Sequence, residues 1–167
     1  YDGGIRMPFI VQWKGKVPAG TIDNDSVIGA VDMLPTFCAI AGIEVPPEHR
    51  PEGEVVADAL YENGHEREKP LMWEFAAHPM YGHVINKSPV LAVRQNRWKL
   101  LMNPEADRVE LYDTPNDRSE LTDVADAHPE VVAKLSKQLM EWKKSCPPLV
   151  RNFQAGNNTY PWPGEQQ

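Results

Sequence analysis

The sequence has few cysteines, no long apolar run and fewer basic than acidic residues. Two cysteines among 167 residues cannot form the disulfide framework of a small secreted domain, and we expect two free thiols. No apolar stretch approaches the roughly 20 residues of a membrane-spanning helix, so no membrane span is predicted. Because 17 Lys and Arg stand against 24 Asp and Glu, the net charge is −7, which argues against nucleic acid as a partner.

The composition is that of a globular protein with many loops. Hydrophobic residues make up 41% of the chain, and a chain of this length can bury roughly 68–70% of its unfolded surface, so a hydrophobic core is expected. The 16 prolines are about twice the average frequency of about 5%, which predicts long loops. The sequence opens at Tyr1 in the middle of a motif, and we expect it to be a piece of a longer protein.

The first part of the chain, residues 1–64, has the pattern of an α/β domain. The apolar run Phe9–Trp13 predicts a strand buried on both faces of a parallel sheet. Asp32 stands at the N-cap position of a short helix predicted over 33–41, which we expect to be largely buried and to end at Gly42. A strongly polar stretch follows, and a domain boundary is predicted before residue 65.

The second part, residues 65–146, predicts antiparallel strands followed by one long helix. Short apolar segments separated by turn residues indicate strands at 71–75, 90–94, 97–102 and from Val109. After Pro129, apolar residues recur at helical spacing, which predicts an amphipathic helix of about five turns; they are Val131, Leu135, Leu139 and Trp142. Residues 147–167 are predicted to be a proline-rich tail.

Five segments, taken in order, resemble the formylglycine-dependent sulfatases. They are Tyr1-Asp2-Gly3-Gly4-Ile5-Arg6-Met7-Pro8, Val31-Asp32-Met33-Leu34-Pro35-Thr36, Ala92-Val93-Arg94 with Trp98-Lys99-Leu100, Glu110-Leu111-Tyr112-Asp113 and His128-Pro129-Glu130. The resemblance implies an alkaline-phosphatase-like α/β fold. Residues 1–64 would be the C-terminal remainder of the large α/β sandwich, and in 65–146 a four-stranded antiparallel sheet would pack on a long helix, so this piece by itself is α+β.

The resemblance also implies chemistry whose reacting groups are not found here. The parent would hydrolyse aryl or carbohydrate sulfate esters with a formylglycine and a calcium ion. The formylglycine motif Cys-x-Pro-x-Arg fails at Cys38, which precedes Ala39-Ile40-Ala41, and at Cys146, where Val150 stands in place of Arg. We therefore expect no catalytic residue, no metal ligand and no bound cofactor in these 167 residues. The family suggests a periplasmic, secreted or lysosomal compartment.

Candidate substrate contacts are Arg6, His78 and His83. The resemblance places Arg6 at the edge of the sulfate pocket, although the side chain could instead pair with loop carboxylates. The two histidines lie in a long predicted loop that would reach over the cleft, or they are two solvated surface residues. Gly3 and Gly4 are predicted to shape the pocket wall because they permit backbone that a Cβ would block.

A basic cluster and two tryptophans are each open to a binding or a structural interpretation. Arg94, Arg97 and Lys99 could attract an anionic polymer, but a solvated or ion-paired sheet face is favoured, and the acidic stretch 107–126 could face them. Two strand tryptophans could stack on a sugar, but packing in the core is favoured; they are Trp73 and Trp98.

Two other functions remain open at this stage. One is a phosphoesterase or phosphonate hydrolase of the same superfamily, and the other is a stand-alone carbohydrate-binding or interaction module. For a sulfatase the partner would be a sulfated small molecule or glycan. The exposed strand edges expected in residues 1–64 also predict self-association of the isolated chain.

Overall fold

The computed structural model describes residues 1–46, 48–49, 51–61, 64–75 and 89–147. Within these ranges the chain forms four α-helices and four β-strands. The helices are α1 (Asp2–Ile5), α2 (Met33–Ala41), α3 (Ala57–Tyr61) and α4 (Pro129–Ser145). The strands are β1 (Leu71–Glu74), β2 (Leu91–Gln95), β3 (Trp98–Met102) and β4 (Val109–Asp113).

The four strands form one antiparallel meander in the order β1-β2-β3-β4. A two-residue turn joins β2 to β3, with Gln95 opposite Trp98. Asn96 in this turn adopts a left-handed φ of 52°, which asparagine tolerates better than most residues. The predicted four-stranded antiparallel sheet is therefore confirmed, with strand ends shifted by one residue at this hairpin.

Helix α4 covers one face of the sheet and forms the core with it. Its first residue, Pro129, suits the start of a helix because no hydrogen-bonded N–H is required there. Leu135 and Leu139 lie one turn apart and are 2% and 0% exposed. They pack with buried residues from three strands, namely Leu91, Val93, Leu100, Met102 and Leu111. The long amphipathic helix and its buried positions are confirmed.

The predicted strand Phe9–Trp13 is wrong for this structure. The segment has no regular secondary structure, and Phe9 and Ile10 are 53% and 90% exposed. A strand buried on both faces needs neighbours on both of its edges and layers above and below, and the described residues supply a sheet only at β1–β4. The expected self-association through this segment stays a prediction.

Helix α2 has the predicted bounds but not the predicted burial. It runs from Met33 to Ala41, and Gly42 ends it with a left-handed φ of 68°. Only Pro35 and Thr36 are buried, whereas Leu34 and Phe37 are 52% and 57% exposed. The apolar pattern correctly indicated a helix, but its outer face meets no covering element among the described residues.

Asp32 stands at the predicted N-cap position of α2, but its side chain makes no capping hydrogen bond to that helix. Its carboxylate is fully buried and pairs with Arg67, at 2.6 Å for Oδ2 to Nη1 and 2.8 Å for Oδ1 to Nη2. The backbone N–H groups of Gly29 and Glu54 donate to the same two oxygens. Burial opposes the charge, but these partners outweigh it and hold the pKa of Asp32 below its usual value.

Gly53 lets the loop before α3 approach the backbone ahead of α2. A Cβ at this position would collide with the carbonyl group of Val31 and lie 2.7 Å from the backbone nitrogen of Asp32. Because both obstacles are backbone, neither can rotate away. Glycine at position 53 therefore keeps Glu54 close enough for its N–H to reach Asp32.

His65 joins the same loop to α3 through two carboxylates. Its Nδ1 lies 2.7 Å from Oδ1 of Asp58, and its Nε2 lies 2.6 Å from Oε1 of Glu54. Burial disfavours the charged imidazole, but these two carboxylates outweigh burial and raise the pKa of His65. The imidazolium can donate both ring protons, so the charged form suits this geometry.

Stability is expected to fall as the pH rises through the folded-state pKa of His65. A raised pKa means that the folded state holds the proton more tightly, so the contribution is complete below the unfolded pKa of about 6.5 and is lost above the folded value. The pKa values of Asp58 and Glu54 are lowered, so their contribution is instead lost in acid.

The measurement compares urea unfolding midpoints of wild type and His65→Gln at pH 6 and pH 8.5. The wild type should lose more stability than the variant between these two pH values. An identical loss in both proteins would contradict the assignment to His65.

None of the described helices combines the length and the apolar character needed to cross a bilayer.

Candidate functional site

Part of the second face of the sheet is polar and meets the start of the chain. Because side chains alternate along a strand, Arg94, Lys99 and Tyr112 point away from α4, and the pairing register sets them side by side. Glu110 lies on the same face of β4. This polar sheet face, defined by these four residues, is where Tyr1 and Asp2 dock.

Lys99 anchors the start of the chain to this face. Its side chain is completely buried, and Nζ lies 2.6 Å from Oδ1 of Asp2 and 2.6 Å from Oε1 of Glu120. The backbone N–H of Asp2 donates to Oε2 of Glu120 at 2.7 Å. A buried ammonium is tolerated only when it is paired and hydrogen-bonded, so this ion triad fixes Asp2 against the sheet.

Glu120 reaches the triad through an unusual backbone conformation. Its φ is 53°, in the left-handed region that non-glycine residues seldom adopt. The turn buries the Glu120 side chain between two exposed neighbours, Ser119 and Leu121. The local strain is offset by the ion pair with Lys99 and by the hydrogen bond from the Asp2 backbone N–H.

Tyr1 completes the docking with an aromatic and hydrogen-bonded contact. Its ring lies edge-on to Tyr112 with centroids 6.4 Å apart, and both phenols donate to Oε2 of Glu110 at 2.9 Å. Arg108 donates to Oε1 of Glu110 and to the Tyr1 hydroxyl. Burial and Glu110 raise the pKa of both tyrosines, so they remain neutral donors.

A cavity of about 520 Å³ opens beside the docked segment. Its lining combines two carboxylates, one guanidinium, a hydroxyl and an aromatic ring around Gly3, and consists of Tyr1, Asp2, Gly3, Arg118, Ser119 and Glu120. Arg94 stands next to Lys99 on the neighbouring strand. Burial lowers the pKa of Arg94. The positive charges of Arg6 and Arg118 also lower this pKa, whereas the negative charges of Asp2 and Glu120 raise it.

The predicted site residues fall into three groups in the structure. His78 and His83 lie outside the described residues. Arg6 is exposed, has no side-chain hydrogen bond or ion pair within the described ranges, and ends α1 with its N–H on the Asp2 carbonyl. An added Cβ on Gly3 or Gly4 would meet nothing within 4 Å of the described chain. Their role in shaping a pocket stays a prediction, with Gly3 at the cavity.

Two members of the basic cluster are ion-paired, Lys99 on the sheet face and Arg97 in the turn between β2 and β3. Lys99 pairs with Glu120, and Arg97 donates from Nε to Oδ1 of Asp113 at 2.8 Å. Both acidic partners belong to the stretch 107–126. The third member, Arg94, has a buried Nε with no hydrogen-bond partner among the described residues.

The two tryptophans differ in their surroundings. Trp98 packs against the core beside α4, and its ring lies 4.7 Å from that of His128. Trp73 points to the opposite side of the sheet from the core residue Met72 and is half-buried. Core packing is therefore confirmed for Trp98, whereas Trp73 stands outside that core.

Two groups expected of the parent's chemistry do not fit the described residues. Across those ranges, no three His, Cys, Asp or Glu side chains are arranged to hold a metal ion. Cys38 and Cys146 are both free thiols, as predicted, and Cys38 lacks the proline and arginine of the formylglycine motif. No reaction step can be assigned to calcium or formylglycine on these residues.

Curated relatives of this chain are sulfatases. The chain is 28% identical over 155 residues to a sulfatase of Formosa agariphila, covering 85% of this chain and 28% of that protein. It is 30% identical over 129 residues to a choline-sulfatase of Rhizobium meliloti, covering 75% of this chain and 22% of that protein. The chain therefore spans about a quarter of the length of these relatives.

Two solved structures with a similar fold are a complex with a sugar and a sulfatase. Ps i-CgsB in complex with k-i-k-neocarrahexaose matches with a TM-score of 0.61 and 25% identity, over 78% of this chain and 27% of that one. A 2-O GAG sulfatase matches with a TM-score of 0.50 and 26% identity, over 68% and 24%.

The family comparison covers most of the described chain. Residues 1–145 match the family described as N-sulphoglucosamine sulphohydrolase, C-terminal. This range includes the docked N-terminal segment, the polar sheet face and α4. The resemblance drawn from the five sequence segments is confirmed, and so is the alkaline-phosphatase-like fold class. The chain belongs to this C-terminal sulfatase family.

Proposed function

We propose that this chain is the C-terminal part of an enzyme that hydrolyses sulfate esters of aryl or carbohydrate substrates. The observation that carries the proposal is the family match over residues 1–145. The sulfatase relatives, each about four times longer than the matched segment, support it. The formylglycine nucleophile and the calcium ion would belong to the remainder of the protein.

The chain's own contribution would be to hold its first residues in a fixed position. Asp2 is bound through both its carboxylate and its backbone N–H, and Tyr1 through its ring and hydroxyl. Residues just before Tyr1 would therefore be held in a defined position and direction. Placement of reacting groups within a fraction of an ångström is what hydrolysis in an enclosed site requires.

Arg6, His78 and His83 remain the proposed substrate contacts on this chain. Arg6 carries a fixed positive charge that suits a sulfate oxyanion, and its side chain is not engaged by the described residues. The histidines could donate to a sulfate oxygen or to a sugar hydroxyl.

The test compares the complete protein encoded by the gene with the 167-residue chain. The complete protein should release sulfate from 4-nitrophenyl sulfate or from a panel of sulfated sugars, and the chain alone should release none. Calcium-dependent turnover by the chain that survives repurification would overturn the division of roles. Hydrolysis of phosphonate or phosphate esters without any sulfate ester would overturn the proposed reaction.

A further inference from the structure

We propose that Lys99 and Glu120 are positioning residues for the sulfate ester reaction and act through Asp2 on Arg6. They would fix the place from which the Arg6 guanidinium meets the substrate. The inference rests on the proposed function, because Arg6 is a substrate contact only in that reaction. It adds a route by which two buried residues, far along the chain from Arg6, would set the rate.

Arg6 is linked to the ion triad through the backbone of α1. Its N–H donates to the carbonyl of Asp2 at 2.8 Å, which closes this single helical turn. The carboxylate of Asp2 is bound by Lys99, and the N–H of Asp2 is bound by Glu120. Because so short a helix is not stable by itself in water, the position of Arg6 depends on how firmly Asp2 is held.

The anchoring of this turn is polar rather than apolar. The apolar side chains around Arg6 are exposed and bury little surface against the described residues; they are Ile5, Met7 and Ile10. The side chain of Lys99, in contrast, is completely buried. A buried ion cluster is often no more stabilising than apolar side chains of similar volume, but its charges must be paired in good geometry. The triad is therefore suited to define a position.

Both positioning residues belong to well-supported parts of the fold. Lys99 lies in β3, which pairs with a strand on each side. The turn that carries Glu120 is closed by Asp117, whose carboxylate accepts the N–H groups of the two residues after Glu120, at 2.9 and 2.8 Å. The N–H of Glu120 donates to the Asp117 carbonyl. Support of this kind behind a substrate-binding group is what keeps its geometry precise.

The first test measures the hydrolysis of 4-nitrophenyl sulfate by the complete protein and by its Glu120→Gln variant. The amide keeps the size of the side chain but loses its charge and one of its two acceptor oxygens, so it cannot bind both Lys99 and the Asp2 N–H as the carboxylate does. We expect kcat/KM to fall about tenfold or more, because a small displacement of a substrate-positioning group is costly.

Glu74→Gln is the matched control. Glu74 forms a second Lys–Glu pair, with Oε1 2.7 Å from Nζ of Lys143, and this pair joins β1 to α4. The same substitution there should leave kcat/KM unchanged. An equal loss in both variants, or an unchanged kcat/KM in Glu120→Gln, would overturn the inference.

A double-mutant cycle tests whether Glu120 acts through Arg6. Arg6→Ala alone should lower kcat/KM, because it removes a charge-assisted contact to the sulfate group. In that background, Glu120→Gln should change kcat/KM by less than about twofold, since no guanidinium is left to displace. Independent losses from the two changes would overturn the inference, as would an unchanged kcat/KM in Arg6→Ala.

Hydrogen exchange of the complete protein provides a measurement that does not need the reaction. The peptide containing residues 2–6 should exchange faster in Glu120→Gln than in the wild type or in Glu74→Gln, because the Arg6 N–H is no longer protected by a fixed Asp2 carbonyl. Unchanged exchange would overturn the positioning role. Should Glu120→Gln not fold, as judged by its melting curve, Asp2→Asn replaces it in all three measurements.

The outcomes separate this inference from the proposed function. A wild type that hydrolyses no sulfate ester would overturn the function, and the role of the triad in the reaction with it, even if the variant exchanges faster. Hydrolysis by the wild type, with unchanged exchange and kcat/KM in Glu120→Gln, would overturn the inference alone.

Discussion

Replacing Asp32 with alanine is expected to lower the free energy of unfolding by about 3–5 kcal/mol, because the change leaves a buried guanidinium without its counter-charge. Arg67 is 6% exposed, and its remaining described acceptor is the carbonyl of Val27 at 3.2 Å. The N–H groups of Gly29 and Glu54 would also lose their acceptors. Urea unfolding followed by tryptophan fluorescence measures the change.

The control is the exposed pair of the same two residue types. Arg97 and Asp113 form an Arg–Asp pair at the surface, where water and salt screen the charges. Asp113→Ala should move the unfolding midpoint much less than Asp32→Ala does. Equal shifts in the two variants would show that burial of the Asp32 pair does not increase its contribution to the free energy of unfolding.

Truncating Leu139 to alanine is expected to cost about 2–5 kcal/mol, because it removes buried methyl groups and leaves a cavity between α4 and the sheet. Leu139 is 0% exposed and belongs to the core cluster with Leu100 and Leu111. Thermal or urea unfolding measures the loss.

Leu121→Ala provides a control of identical chemistry. Leu121 is 84% exposed, so its truncation removes no buried surface and should leave stability nearly unchanged. An unmoved unfolding midpoint for Leu139→Ala would show that α4 does not pack on the sheet as described.

The parts of the fold that depend on local pattern were predictable from the sequence. The spacing of Leu135 and Leu139 located α4, and turn residues located the hairpins of the meander. The strand prediction for Phe9–Trp13 was wrong because an apolar run indicates burial but does not show which element buries it. Asp32 takes the predicted N-cap position, but its carboxylate pairs with a distant cation, 35 positions away at Arg67, and makes no capping hydrogen bond to the helix.

The candidate site was less predictable because it joins distant parts of the chain. The glycines and Arg6 were singled out from the N-terminal motif, and Arg94 and Lys99 from their density of charge. No spacing rule links Asp2 to Glu120, which are 118 positions apart. The signal that could have linked them is the acidic stretch expected to face the basic cluster, because Glu120 belongs to it.

The ion triad also has a consequence for how the chain folds as it is synthesised. The strands of the meander pair with their sequence neighbours, so each can add to the sheet soon after it emerges. Asp2 can complete the triad only after Glu120, 118 positions later, has been synthesised. At roughly 5–20 residues per second, this interval lasts about 6–24 s. Glu120 follows β4, so closure of the triad comes after the last strand has been made. Until then the ammonium of Lys99 lacks one of its two counter-charges, so Asp2 is held against the sheet by only part of its final set of contacts.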